Sequence, residues 1–262
     1  MQPTREEIIR CRLRNMAGWA KERRDFLAEP PKEWKEDWYI RIGGDGFRAV
    51  SVSDKRPQLG FNSRAKREIS RVSDDFDVNI EEGPGRGTPE KRIQSLLIRH
   101  AINNQLEMHK LLCLDASVYS KLLIALDEVA LGDRKNPPKL VCDILAAGVY
   151  EGNAYPVLIE LKSSNKASDL DRLFEQLENF KREMKTFSAE FRPLLEACVG
   201  VEVDCSKIGR IMILPAPEHD KRSSNLQTEC DKNHVSVIEY DKNTLQFKPW
   251  LVYPPTPFKK VS

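Results

Sequence analysis

The chain has few of the residues that build disulfide scaffolds or zinc modules: six cysteines and four histidines among 262 residues. The cysteines stand at 11, 113, 142, 198, 205 and 230 and include no Cys-x-x-Cys pair, and several lie in apolar runs, which argues against a disulfide framework and for reduced, buried thiols. Cys198, Cys205, His219, Cys230 and His234 match the ligand spacing of neither a zinc site nor an iron-sulfur site. No apolar run approaches the roughly 20 residues a membrane span needs, and the first residues lack the apolar stretch of a signal peptide. The expectation is a soluble protein, cytoplasmic or otherwise intracellular, with no membrane partner. There is no internal repeat, no low-complexity tract and no Ser/His/Asp or Cys/His order. Gly83-Pro-Gly-Arg-Gly87 lacks the Lys-Ser/Thr ending of a phosphate loop and reads as a linker.

What is present is uneven charge. The formal net charge is only +2, yet residues 1–73 hold 17 Lys and Arg against 11 Asp and Glu, a net of +6, followed by Asp74, Asp75, Asp77, Glu81 and Glu82. The first third therefore either meets an anionic partner or is a solvated mixed-charge face. Thr4-x-x-Glu7 is a capping-box pattern, and Ile8, Ile9, Leu13, Met16, Ala17 and Ala20 recur at helical spacing, predicting a helix to about Leu27. Tyr39 to Ile42 and Phe47 to Val52 alternate around Gly43-Gly-Asp-Gly46, which predicts a β-hairpin. Arg5, Arg10, Arg12, Arg14, Lys21, Arg23 and Arg24 beside Trp19, Trp34, Trp38 and Tyr39 suit a nucleic-acid clamp; a helix packing its tryptophans on a core and a dimer surface are the competing readings. These features set residues 1–87 apart as a basic helix-plus-hairpin extension and linker, with the main domain at 88–262.

Thr88-Pro89-Glu90 is a helix start, with Ile93, Leu96, Leu97 and Ala101 on one face. Between 109 and 132 the pattern supports either an extended helix over Val118 to Leu126 or a strand beginning near Glu128. Leu140 to Ala147 and Pro156 to Lys162 are short apolar runs predicting two buried strands joined by a polar loop, Gly148 to Ala154. A long amphipathic helix is predicted from Asp169 to about Glu196, then strands over 208–214, 235–240 and 245–250.

Asp143, Glu160 and Lys162 stand out because an ionised carboxylate inside an apolar strand is costly unless a cation or hydrogen bonds compensate it. In Glu160-Leu161-Lys162 the strand period of two puts both charged side chains on one face and Leu161 in the core. If the two strands pair, Asp143 reaches the same place. Two converging carboxylates, with the Leu161 carbonyl as a further oxygen, suit Mg²⁺, with Mn²⁺ able to substitute. Such a site serves phosphodiester hydrolysis, with Lys162 orienting water or stabilising developing charge. An ion pair at a strand end is the plainer reading.

Cys142-Asp143-Ile144 followed by Ile159-Glu160-Leu161-Lys162 resembles the PD-(D/E)XK nuclease superfamily, whose signature is an Asp on one strand and (Asp/Glu)-x-Lys on the next. Here Cys142 stands where a proline often precedes the Asp. The resemblance covers roughly residues 88 to 240 and implies an α/β restriction-endonuclease-like core, a central mixed sheet flanked by helices. It also implies that Glu90 completes the metal site and that Gln176 contributes from the following helix. Gln176-Leu-Glu-Asn-Phe180 departs from the Gln-x-x-x-Tyr of the RecB-like branch by one hydroxyl. Glu90 is equally what a helix dipole favours in a first turn, and Gln176 what an exposed helix face carries. The implied activity is metal-dependent nucleic-acid hydrolysis, on DNA rather than RNA. The competing classes are a non-catalytic nucleic-acid-binding or assembly protein on the same fold, and a nuclease active only within a larger defence or repair complex; a homodimer or a larger complex is left open as the assembly.

Overall fold

The computed structural model describes residues 3–29, 38–43, 46–51, 89–105, 107–131, 140–164, 167–217 and 224–258. The chain begins with α1 (Arg5–Ala28), where the Thr4 hydroxyl accepts from Glu7 N and the Glu7 carboxylate accepts from Thr4 N, so both halves of the capping box form. Its buried stripe is Ile9, Leu13, Met16, Ala20, Arg23 and Phe26. Strands β1 (Trp38–Gly43) and β2 (Gly46–Ser51) pair antiparallel as the glycine turn predicts. The predicted linker and its boundary at 87 lie outside the described residues, as do Thr88 and Trp34.

Next come α2 (Pro89–Asn103), β3 (Lys121–Leu131), β4 (Leu140–Tyr150), β5 (Asn153–Leu161), α3 (Ala167–Thr186), α4 (Ser188–Val199), β6 (Lys207–Pro215), α5 (Ser224–Asn233), β7 (Ser236–Tyr240), β8 (Phe247–Leu251) and β9 (Thr256–Pro257). The sheet order is β3-β4-β5-β6-β7-β8, with β9 on β6. Strands β3 to β5 form an antiparallel meander, β5-β6-β7 run parallel, and β8 turns back antiparallel. The parallel steps need crossovers, which α3 with α4 and then α5 supply. This is an α/β architecture, a mixed central sheet flanked by helices.

Two apolar layers cover the sheet. On one face Leu145, Leu158, Met212 and Val237 meet α1, α3, α4 and α5; on the other Ile144, Ile159, Ile211 and Ile213 meet α2 and the turns carrying Met108, Leu112 and Tyr119. The basic extension is part of the first layer, because Ile9, Leu13 and Met16 share it with Leu194, Leu195 and Leu126. The charges on α1 follow the same docking. Arg5 pairs with Glu183 at 2.6 Å, Arg10 and Arg14 reach Glu190 at 2.5 and 3.5 Å, and buried Arg23 donates to Ala125 O at 2.9 Å. Trp19 packs partly buried against this layer, and Tyr39 is buried under Arg23.

Several boundaries differ from expectation. The region expected to be helix or strand before 128 is a strand from Lys121, and the run before it is a series of turns. The expected polar loop over 148–154 is a two-residue turn: Glu151 and Gly152 both take positive φ, 48° and 79°, as a primed turn requires, and both strands run up to it. The helix expected from 169 to 196 is two, broken at Phe187, whose buried ring leaves the helical path at φ −110°, ψ 29°. Helix α5, ten mostly polar residues, was not expected. All six cysteines are free, and Cys142, Cys198, Cys205 and Cys230 are buried in agreement with reduced thiols. No helix among the described residues is long and apolar enough to cross a membrane.

Candidate active site

The ladder between β4 and β5 stops at Ile144–Ile159, although β4 continues on β3 to Leu140 and β5 continues on β6 to Leu161. The two strands therefore fork. Side chains take over from backbone in the fork: Asp143 Oδ2 accepts from Leu161 N at 2.9 Å, and Glu160 Oε1 accepts from Asp143 N at 3.4 Å. This satisfies amides that the ladder no longer serves, which is why carboxylates are tolerated at this depth. The inside-outside alternation of β4 also slips here. Cys142 lies in the core layer of Leu145 and Ala147 rather than that of Ile144, so the change of face falls at Asp143.

Glu160 is fully buried, on the face of β5 that carries Leu158 and looks toward α3. From α3, Gln176 Nε2 donates to Glu160 Oε2 at 2.9 Å and to Val141 O at 2.7 Å, clamping the carboxyl and β4 together. Burial pushes the Glu160 carboxyl well above the ordinary range; the Asp143 carboxylate against it adds to the shift and Lys162 opposes it. Cys142 is raised by burial and then by the same two carboxylates, so its sulfur is a neutral donor, to Ile144 O at 3.1 Å.

Lys162 follows the end of β5. Its amide donates to Ile213 O at 3.0 Å and its carbonyl accepts from Tyr240 OH at 3.3 Å, which holds the residue against β6 and β7. Its Nζ donates to the Leu161 carbonyl at 3.1 Å, the same oxygen expected to join a metal, while the Leu161 side chain is in the core. Glu90 reaches the segment after β5, where Oε1 accepts from Ser163 N at 3.2 Å and Ser163 Oγ at 3.4 Å. Phe180 is a core residue packed edge-on against Phe191 at 6.1 Å.

The structure thus brings Asp143, Glu160, Lys162 and Gln176 to one fork, with Glu90 beside the following loop. Among the described residues no three His, Cys, Asp or Glu side chains gather as a metal-holding set. Cys198, Cys205 and Cys230 are dispersed in the core layer, and His219 lies outside the described residues. Two apposed carboxyls with only oxygen donors still fit a hard divalent ion, because Mg²⁺ commonly takes one or two carboxylates and fills its other positions with water and phosphate.

Residues that the sequence did not single out complete the surroundings. Gln94 on α2, itself buried, donates to the Asp143 carbonyl at 3.2 Å, and Lys91 Nζ donates to Gln94 Oε1 at 2.8 Å. Lys91 also pairs with Glu128 on β3, and Arg41 on β1 reaches Asp127 at 2.5 Å and Glu128 at 3.1 Å. Burial and then the Arg41 charge lower the Lys91 ammonium, against the pull of Asp143, Asp127 and Glu90. The available signal was helical spacing: Lys91 and Gln94 are i and i+3 on the helix that carries Glu90.

No model of a known protein family matches the chain, and no curated protein matches it. Among solved structures it is similar to the crystal structure of an XisH family protein from Nostoc punctiforme, at 16% identity, 50% coverage of this chain, 88% coverage of that chain and a TM-score of 0.31. At that distance the functional reading rests on the chemistry of the site itself.

Proposed function

We propose that the protein is a metal-dependent nuclease with a restriction-endonuclease-like core of the PD-(D/E)XK type, hydrolysing phosphodiester bonds, in DNA rather than RNA. The observation that carries this reading is the fork, in which carboxyls from two adjacent strands meet and a lysine stands two residues beyond one of them. Asp143 and Glu160 would hold Mg²⁺ or Mn²⁺. The ion, when bound, supplies charge that offsets the phosphate and activates water at neutral pH.

The chain's own groups do the rest. Asp143, tied to the Leu161 amide, and Glu160, tied to Gln176, keep both carboxyls in register, a preorganisation that lets charge stabilisation act without rearrangement. Lys162 brings positive charge to the mouth of the fork and Glu90 orders the loop that follows.

Purified protein incubated with plasmid, linear double-stranded DNA, single-stranded DNA and RNA, each with Mg²⁺, Mn²⁺ or EDTA, tests the reading. Metal-dependent cutting of DNA is expected. The absence of cutting on all four substrates would favour the non-catalytic or complex-dependent readings, for which the internally satisfied Glu160 oxygens are the specific support.

A further inference from the structure

Glu128 adopts φ +50° in the middle of a strand, a conformation that non-glycine side chains rarely take and that persists only where surrounding contacts impose it. Its place in the sheet gives the reason. The β3–β4 register pairs Asp127 with Ile144 and Val129 with Cys142, which leaves Glu128 opposite Asp143, at the point where β4 changes face. Two cations from outside the sheet hold it there. Arg41 arrives from the β1–β2 hairpin, anchored also on the buried Asp127 carboxylate, and Lys91 arrives from α2. Lys91 in turn holds Gln94, and Gln94 donates to the Asp143 carbonyl.

We propose that Arg41, Glu128, Lys91 and Gln94 form a positioning relay that sets the backbone of Asp143, so that the N-terminal hairpin is a working part of the carboxylate fork. The relay rests on the nuclease reading for its catalytic consequence but not for its geometry. It runs from β1 through β3 and α2 to β4 and ends on the peptide whose side chain secures Leu161 N. None of its members touches the reacting atoms. It acts by fixing where the Asp143 carboxylate points.

The test uses the full chain carrying Gln94→Met, Glu128→Gln or Arg41→Ala, and the Gln94→Met/Arg41→Ala pair. The primary variant is Gln94→Met, which keeps volume and removes no charge; Arg41→Ala strands buried Asp127, and thermal melts identify any variant that fails to fold. In folded variants, amide exchange at Leu161 should quicken about tenfold or more, because the Asp143 carboxylate no longer holds that N–H. With DNA and Mn²⁺, kcat should fall about tenfold or more while KM stays within about twofold. The double variant should lose no more than the worse single one, since all members act on one path. Unchanged Leu161 exchange in Gln94→Met, or losses that multiply in the double variant, would overturn the relay. If the wild-type protein cuts nothing, the reading as a nuclease active on its own fails, and Leu161 exchange alone decides the relay.

Discussion

Glu160 is a fully buried carboxyl with the Asp143 carboxylate against it. Its folded carboxyl is raised by burial and by Asp143, so the folded chain holds that proton more tightly than the unfolded chain does. Its contribution to stability is therefore full below the ordinary carboxylate range and is lost as pH rises through the folded value. At neutral pH in EDTA the ionisable group is a cost, so the Tm of the wild-type protein relative to Glu160→Gln should fall as pH rises out of the carboxylate range, on top of a pH-independent penalty in the variant, whose amide nitrogen must face one of two donors, Asp143 N or Gln176 Nε2. Melts at a series of pH values check this, and a Tm difference that does not change with pH would contradict it. Gln176→Ala acts on the same clamp. It removes donors to Glu160 and to Val141 O, and a loss of about 1–3 kcal/mol in denaturant unfolding is expected. A loss below about 0.5 kcal/mol would mean that water replaces the clamp.

At the scale of elements, the hairpin β4–β5 decides the site's geometry through its turn. Gly152 takes φ +79° with open space around an added Cβ, so Gly152→Ala tests conformational strain alone and should cost about 1 kcal/mol without changing metal-dependent cleavage. Gly148 faces the Tyr119 ring, where an added Cβ would lie 2.5 Å from Cε1; the overpacking in Gly148→Ala should cost about 1–3 kcal/mol and be relieved in part by Tyr119→Leu. These elements also show what a sequence reveals. The apolar runs around Asp143 and Glu160 were legible because burial on both faces leaves a continuous hydrophobic signature, and the period of two correctly sent Leu161 inward. The break at Phe187 was not, because an aromatic residue continues a helical pattern as well as it ends one and only packing against the core decides. The turn at Glu151-Gly152 was read too long, since Gly148, Val149 and Tyr150 look loop-like until β3 and β5 pair with them. The Arg41–Glu128–Lys91–Gln94 contacts join three elements distant in sequence, β1, β3 and α2, and beyond the i, i+3 spacing of Lys91 and Gln94 no local pattern announces them.

Across the whole molecule, the basic extension is built into the fold. Helix α1 inserts Ile9, Leu13 and Met16 into the layer shared by α4 and β3, and its arginines meet Glu183 and Glu190. Leu13→Ala should therefore cost about 2–5 kcal/mol in denaturant unfolding of the full chain, as for a core leucine. A cost near zero would show that α1 detaches without consequence. Arg5 pairs with Glu183 and Arg10 with Glu190 within the chain, so replacing these two should cost a little stability in the same denaturant unfolding. Whether the fork cleaves phosphodiesters with a metal ion is decided by plasmid cleavage with Mn²⁺ by the wild-type protein and by Lys162→Ala, matched for folding by thermal melt. Cutting that EDTA abolishes and that falls by at least about a hundredfold in the variant is expected. Cutting that survives in EDTA, or that Lys162→Ala leaves intact, would overturn the metal-dependent assignment.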